Sequence, residues 1–118
     1  MKENVIMDKA FVFAVRIINL YKLLCERKEY VLSKQLLRSG TAIGALLKEG
    51  EHAQSRADFI NKLSIALKEA NETEYWIMLL YKTDYILDFE YNSIIQDCRE
   101  IVKMLISIVR TSKTNKNG

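Results

Sequence analysis

The chain contains no proline, four glycines (one of them the last residue), two cysteines and a single histidine. Proline and glycine punctuate turns and break helices, so their scarcity argues against many short strands and for a few long helices. Long apolar runs are missing as well. The longest, AFVFAV and YWIMLLY, fall far short of the ~20 residues a membrane span needs. The first fifteen residues set Glu3, Asp8 and Lys9 among apolar neighbours, unlike the basic start and unbroken apolar segment of a signal peptide. A soluble cytoplasmic protein with no membrane partner is therefore expected. Cys25 and Cys98 fall on different predicted helices with no C-x-x-C spacing, and in a reducing compartment they read as small buried hydrophobes.

What is present is a single domain's worth of sequence. At 118 residues there is room for one core and not two. The formal charge of +3 and a pI near 8.8 are mildly basic, permitting nucleic-acid contact without requiring it. Four helices are expected, at about Asn4–Glu29, Leu32–Glu49, Arg56–Asp84 and Asn92–Thr111. The first carries two apolar stripes, Phe11, Val15, Ile18, Tyr21 and Cys25 beside Phe13, Ile17, Leu20 and Leu24. A helix so apolar around its circumference is buried on more than one side, and the second side is expected to meet another subunit. The fourth also has two stripes, Ile94, Cys98, Ile101, Leu105 and Ile108 beside Ile95, Val102, Ile106 and Val109. In the third, Ser55 and Asp58 make a capping-box-like start, and Tyr75 to Tyr81 is apolar nearly all round, so that half is expected to be enclosed. Short connections imply an all-α, antiparallel up-down-up-down four-helix bundle over residues 1–111, with 112–118 (SKTNKNG) a disordered basic tail.

The second predicted helix is rich in small residues. Gly in mid-helix costs roughly 1 kcal/mol against Ala, so Gly40 and Gly44, four apart on one face, are expected to mark close packing of a neighbour, and Gly44→Leu is expected to overpack the crossing. A phosphate-cradling loop would need a G-x-x-x-x-G-K-[ST] or G-x-G-x-x-G pattern behind a strand, and neither pattern is present. Gly50 suits the helix end.

No catalytic constellation stands out. Glu49-Gly-Glu-His52 matches the Glu-x-x-His of di-metal bundles, but a second copy would need a second histidine. No spacing brings a cysteine to His52 with an orienting group behind it. Glu69, Glu72 and Glu74 sit mid-helix, where structural hydrogen bonding to a hydroxyl or arginine of another helix is the favoured role. A non-enzyme without metal or cofactor is expected. The basic residues are scattered, as on an ordinary solvated face, although oligomerisation would let modest patches merge.

The stretch from Lys34 to Gly50 (KQLLRSGTAIGALLKEG) and from Ala53 to Trp76 (AQSRADFINKLSIALKEANETEYW) resembles the bacterial four-helix-bundle proteins encoded in intervening sequences of large-subunit (23S) ribosomal RNA genes. Leu37-Arg38-Ser39, Ile43-Gly44-Ala45, Asp58-Phe59, Ile65-Ala66 and Glu72 with Glu74 meet the family's pattern; Leu46 stands where the family usually has Asn. With the flanking helices the similarity covers essentially the whole chain. The resemblance implies a left-handed bundle assembling into a closed ring, typically a homopentamer. It also implies kinship with accessory proteins of diversity-generating retroelements, which bind nucleic acid and a reverse transcriptase through a basic surface. The expected function is accordingly a ring-forming, non-enzymatic protein that binds structured RNA, with Arg38, Lys48, Arg56 and Lys62 contacting phosphates at the end of the bundle where the second and third helices turn. The alternative is an oligomeric scaffold or adaptor whose ligand is another protein.

Overall fold

The computed structural model of the protein describes residues 2–114, with side chains from Val5 onward. Four helices account for nearly all of it: α1 (Lys2–Glu26), α2 (Leu32–Glu51), α3 (Arg56–Lys82) and α4 (Asp88–Thr114). No strand occurs among the described residues. A 27-residue helix is about 40 Å long, and the molecule measures 50 × 22 × 19 Å. Its long axis therefore holds one helix length, and successive helices run up and down. Each helix packs on its two neighbours around the bundle, with the α1–α4 interface the thinnest of the four. No described helix is long and apolar enough to cross a membrane.

Burial follows one of the two α1 stripes. Phe13, Ile17 and Leu24 are buried with Leu36 and Ile43 of α2, Ile77 and Leu80 of α3, and Ile101 and Leu105 of α4. The other α1 stripe faces outward: Phe11 is 70% exposed, Val15 43% and Ile18 38%, with Val12 beside them at 58%. In α4 both stripes are largely consumed by the fold, since Ile95 and Val109 are buried and only Ile106 is exposed. The enclosure expected for the second half of α3 is also partial, because Tyr75 and Met78 stay open. Leu46 is half-buried and packs against the core as an ordinary aliphatic residue.

The helix ends depart from the expected ones, for identifiable reasons. α1 stops at Glu26 in a Schellman arrangement: the Glu29 N–H donates to Leu24 O at 2.9 Å and the Lys28 N–H to Cys25 O at 3.0 Å. α3 ends in the same way, with Tyr85 N–H on Leu80 O and Asp84 N–H on Tyr81 O. Among the described residues the left-handed ones are Lys28 and Asp84, both at φ 67°, and no glycine there has positive φ. Gly50 is thus not a left-handed cap. It lies inside the last turn of α2, buried where α3 comes close: a Cβ there would sit 3.7 Å from both Phe59 Cδ1 and Lys62 Cβ. Because a non-glycine residue pays about 1 kcal/mol in this conformation, Lys28→Gly should raise unfolding stability by about that amount, as read by urea denaturation. A variant no more stable than the parent would show that the turn is unstrained.

Side-chain oxygens cap the remaining starts. The buried Glu29 side chain accepts from the N–H groups of Leu32 (3.1 Å), Val31 (3.3 Å) and Ser33, covering donors that α2 itself leaves open. Ser55 accepts from Asp58 N–H at 3.0 Å, as expected. α4 starts four residues earlier than its periodicity suggests because Glu90 reaches back to the Leu87 N–H at 2.7 Å. Glu90 also takes a two-pronged bond from Arg27, both arms 2.8 Å. That hydrogen bonding holds the Glu90 carboxyl below its usual range, so the clamp is intact at neutral pH and is lost as pH falls through that lowered value. At its other end α4 continues through Thr114 with Ser112 buried, and of the expected tail residues 115–118 lie outside the described residues.

Candidate nucleic-acid interface

The four basic residues singled out by the sequence do not form one cluster. Lys48, Arg56 and Lys62 flank the α2–α3 turn. Arg38 lies thirteen residues before the end of α2, about 20 Å away along the helix axis. There it bridges to α3, with Nη1 3.2 Å from Glu69 Oε1 and Nη2 bonded to Glu72. Just inside this bridge the hydroxyls of Ser39 and Thr73, both fully buried, sit 2.8 Å apart. Leu37-Arg38-Ser39 and the acidic stretch of α3 thus fasten α2 to α3, the hydrogen-bonding role expected for Glu69 and Glu72. Glu74 turns the other way and takes Arg99 of α4 at 2.6 Å.

The glycines differ in kind. A Cβ on Gly40 would lie 2.9 Å from both Cγ1 and Cγ2 of Ile17, closer than atoms normally approach. At Gly44 it would sit 3.7 Å from Ala10 Cβ, an ordinary contact, and beyond it opens a groove of about 470 Å³ lined by Met7, Phe11, Ala14 and Ala45. Gly40 is the tight crossing between α1 and α2, and Gly44 leaves space.

At the α2–α3 end, two of the three cations have acidic partners: Lys62 with Glu49 at 3.1 Å and Lys48 with Glu51 at 3.4 Å. Arg56 instead donates to the Ser112 carbonyl at 3.2 Å, satisfying an open carbonyl in the last turn of α4. That bond draws in two further cations near the end of α4, Arg110 and Lys113, the second of which lies in the segment expected to be a tail. Both are exposed and form no ion pair among the described residues. The missed signal was periodic: Leu105, Ile108 and Ser112 continue the buried face of α4 past the expected stop. Residues 5–9, 48–62 and 110–114 together carry six cations against four carboxylates, whereas the opposite end, residues 26–34 and 82–90, carries four against five. The bundle is polarised, positive where α2 meets α3 and α4 finishes.

Of the candidate metal or nucleophile residues, Glu49 is engaged by Lys62, and His52 is exposed at the α2 C-cap. No group of three or more potential metal ligands occurs among the described residues. Burial pushes the Cys98 thiol up to about 12, so it stays protonated at neutral pH, and its Sγ lies 3.5 Å from the Ala70 carbonyl.

Comparison with known proteins places this architecture. The crystal structure of a Bacteroides thetaiotaomicron protein of unknown function, from the S23 ribosomal protein family, superposes with a TM-score of 0.91 at 65% identity, over 93% of this chain and 99% of that one. No curated protein matches the sequence. The family described as 23S rRNA-intervening sequence protein matches residues 2–107. The chain belongs to the 23S rRNA-intervening sequence protein family.

Proposed function

We propose that the protein is a non-enzymatic, self-associating bundle that binds structured RNA through its positive end. The observation that carries this reading is the charge polarity: Arg56 ties the start of α3 to the end of α4 and gathers Lys48, Lys62, Arg110 and Lys113 around one end. The ion pairs of Lys48 and Lys62 do not disqualify them. An exposed pair is worth about 1 kcal/mol or less, and a polyanion releasing counterions can displace the carboxylate. The family's name, which associates these proteins with 23S rRNA sequence, makes RNA the polyanion to test first.

Self-association rests on a separate feature, the outward row of Phe11, Val12, Val15 and Ile18 on α1. A contiguous apolar face of this kind on a soluble bundle marks a contact surface. Repeating the positive end around a ring would join modest patches into a continuous basic surface.

The test is charge reversal. Arg56→Glu, Arg110→Glu and Lys113→Glu combined should weaken binding to a structured RNA at least tenfold and reduce the slope of log affinity against log salt by roughly three, one per lost phosphate contact. The variant's helical circular dichroism should match the parent's, since all three side chains are exposed. Unchanged affinity and slope would remove this end as the binding surface and move the reading to an adaptor for another protein.

A further inference from the structure

The outward face of α3 carries a second feature, independent of the positive end. Between Lys68 and Lys82 the helix holds three carboxylates, and all three are engaged by arginines from the flanking helices: Glu69 and Glu72 by Arg38 of α2, Glu74 by Arg99 of α4. The strip between them is left with cations and neutral groups. Lys68, Tyr75 and Lys82 are seven residues apart, which places them nearly in line with a drift of about 20° per step and a rise of about 10 Å each. Asn71 and Met78 fall between them, and all five are exposed.

Tyr75 is 55% exposed, yet it is held. Its ring meets the edge of Trp76, with centroids 5.4 Å apart and planes inclined at 60°. Trp76 Nε1 lies 3.4 Å from Glu72 Oε1, and Glu72 is bonded in turn to Arg38. A chain of contacts from α2 thus fixes an aromatic ring that points at water, between two lysines with no uncompensated acid between them on α3, the nearest unpaired carboxylates being Asp84 and Asp88 beyond Lys82. Exposed aromatics flanked by cations are how proteins take unpaired nucleotides, because every base has a stackable face and every linkage a negative charge.

We propose that this strip is a binding site for single-stranded RNA, with a base stacked on Tyr75 and the flanking phosphates met by Lys68 and Lys82. It rests on the RNA-binding reading above and deepens it: the positive end supplies sequence-independent attraction, and Tyr75 selects an unpaired loop over a duplex. Arg38 and Trp76 are positioning residues for that ring.

The experiment compares full-length parent, Tyr75→Ala and Tyr75→Phe for binding to an RNA hairpin carrying 2-aminopurine in its loop and to a blunt RNA duplex of the same stem. Tyr75→Ala should lose roughly tenfold or more in affinity for the hairpin, lose the fluorescence quenching that accompanies stacking, and bind the duplex like the parent. Tyr75→Phe should keep both. If the parent binds the hairpin and Tyr75→Ala binds it equally well, this site is refuted and the basic end stands. If affinity for hairpin and duplex falls together and sedimentation shows altered assembly, Tyr75 is a subunit contact and the site is refuted. If the parent binds neither RNA, both readings fail.

Discussion

Leucine at position 40 should cost the bundle about 3 kcal/mol, near the upper part of the range for overpacked cores, and lower its melting temperature by roughly 10 °C. Even a bare methyl group at Gly40 would lie 2.9 Å from two carbons of Ile17. Ile17 is fully buried and β-branched, with one strongly preferred helical rotamer, so it cannot swing aside as a lysine or methionine would. The only relief is for α1 and α2 to separate, which would loosen Phe13 and Leu24 on one side and Leu36 and Ile43 on the other. Position 44 supplies the control. A Cβ there meets Ala10 at ordinary contact distance, so Gly44→Ala should be neutral or stabilise by up to about 1 kcal/mol through helix propensity. Leucine at 44 has the adjoining groove to enter, which moves the overpacking expected there to Gly40. Thermal melts of the variants decide it; a Gly40→Leu protein melting with the parent would contradict the close crossing.

The second large effect is expected on assembly. If the protein assembles through α1 as proposed, Phe11→Glu with Val15→Glu should leave it monomeric, read by sedimentation equilibrium, with helical content unchanged. Both side chains face water in the isolated subunit, at 70% and 43% exposure, so charges there cost the subunit's own fold little. Between subunits the same charges would have to be buried without partners, at several kcal/mol each. RNA affinity should fall as well, because a monomer presents one positive end in place of several linked ones. A parent protein that is already monomeric at micromolar concentration would contradict self-association through α1.

The fold could be read from the sequence because its period is unambiguous. Phe13, Ile17, Leu20 and Leu24 repeat at helical spacing, and with no proline nothing interrupts them. Helix ends were harder to read, since the chain caps unconventionally: Lys28 and Asp84 occupy left-handed positions where glycine would have been the signal, and Glu90 caps α4 from inside it. Periodicity also cannot say which apolar stripe faces inward. The two stripes of α1 look equivalent in sequence, and only the packing of α2 and α4 decides that Phe11 and Val15 stay outside.

The candidate interface was less legible because it depends on which residues come together at one end. Arg38 sits close to Lys48 in sequence but is carried down α2 and fastened to Glu69 and Glu72, whereas Arg110 and Lys113, remote in sequence, return to Arg56. Tyr75 was hidden for a related reason. Its apolar neighbourhood suggested enclosure, but α3 shows its outward side to water at that residue.

The most direct test of RNA binding through the positive end is the affinity of the purified, nuclease-treated protein for a labelled structured RNA across a series of salt concentrations. The polarised bundle predicts log affinity falling linearly and steeply with log salt, the signature of released counterions, with one RNA held more tightly than an unrelated duplex. Absence of binding at low salt, or an affinity indifferent to salt, would contradict it.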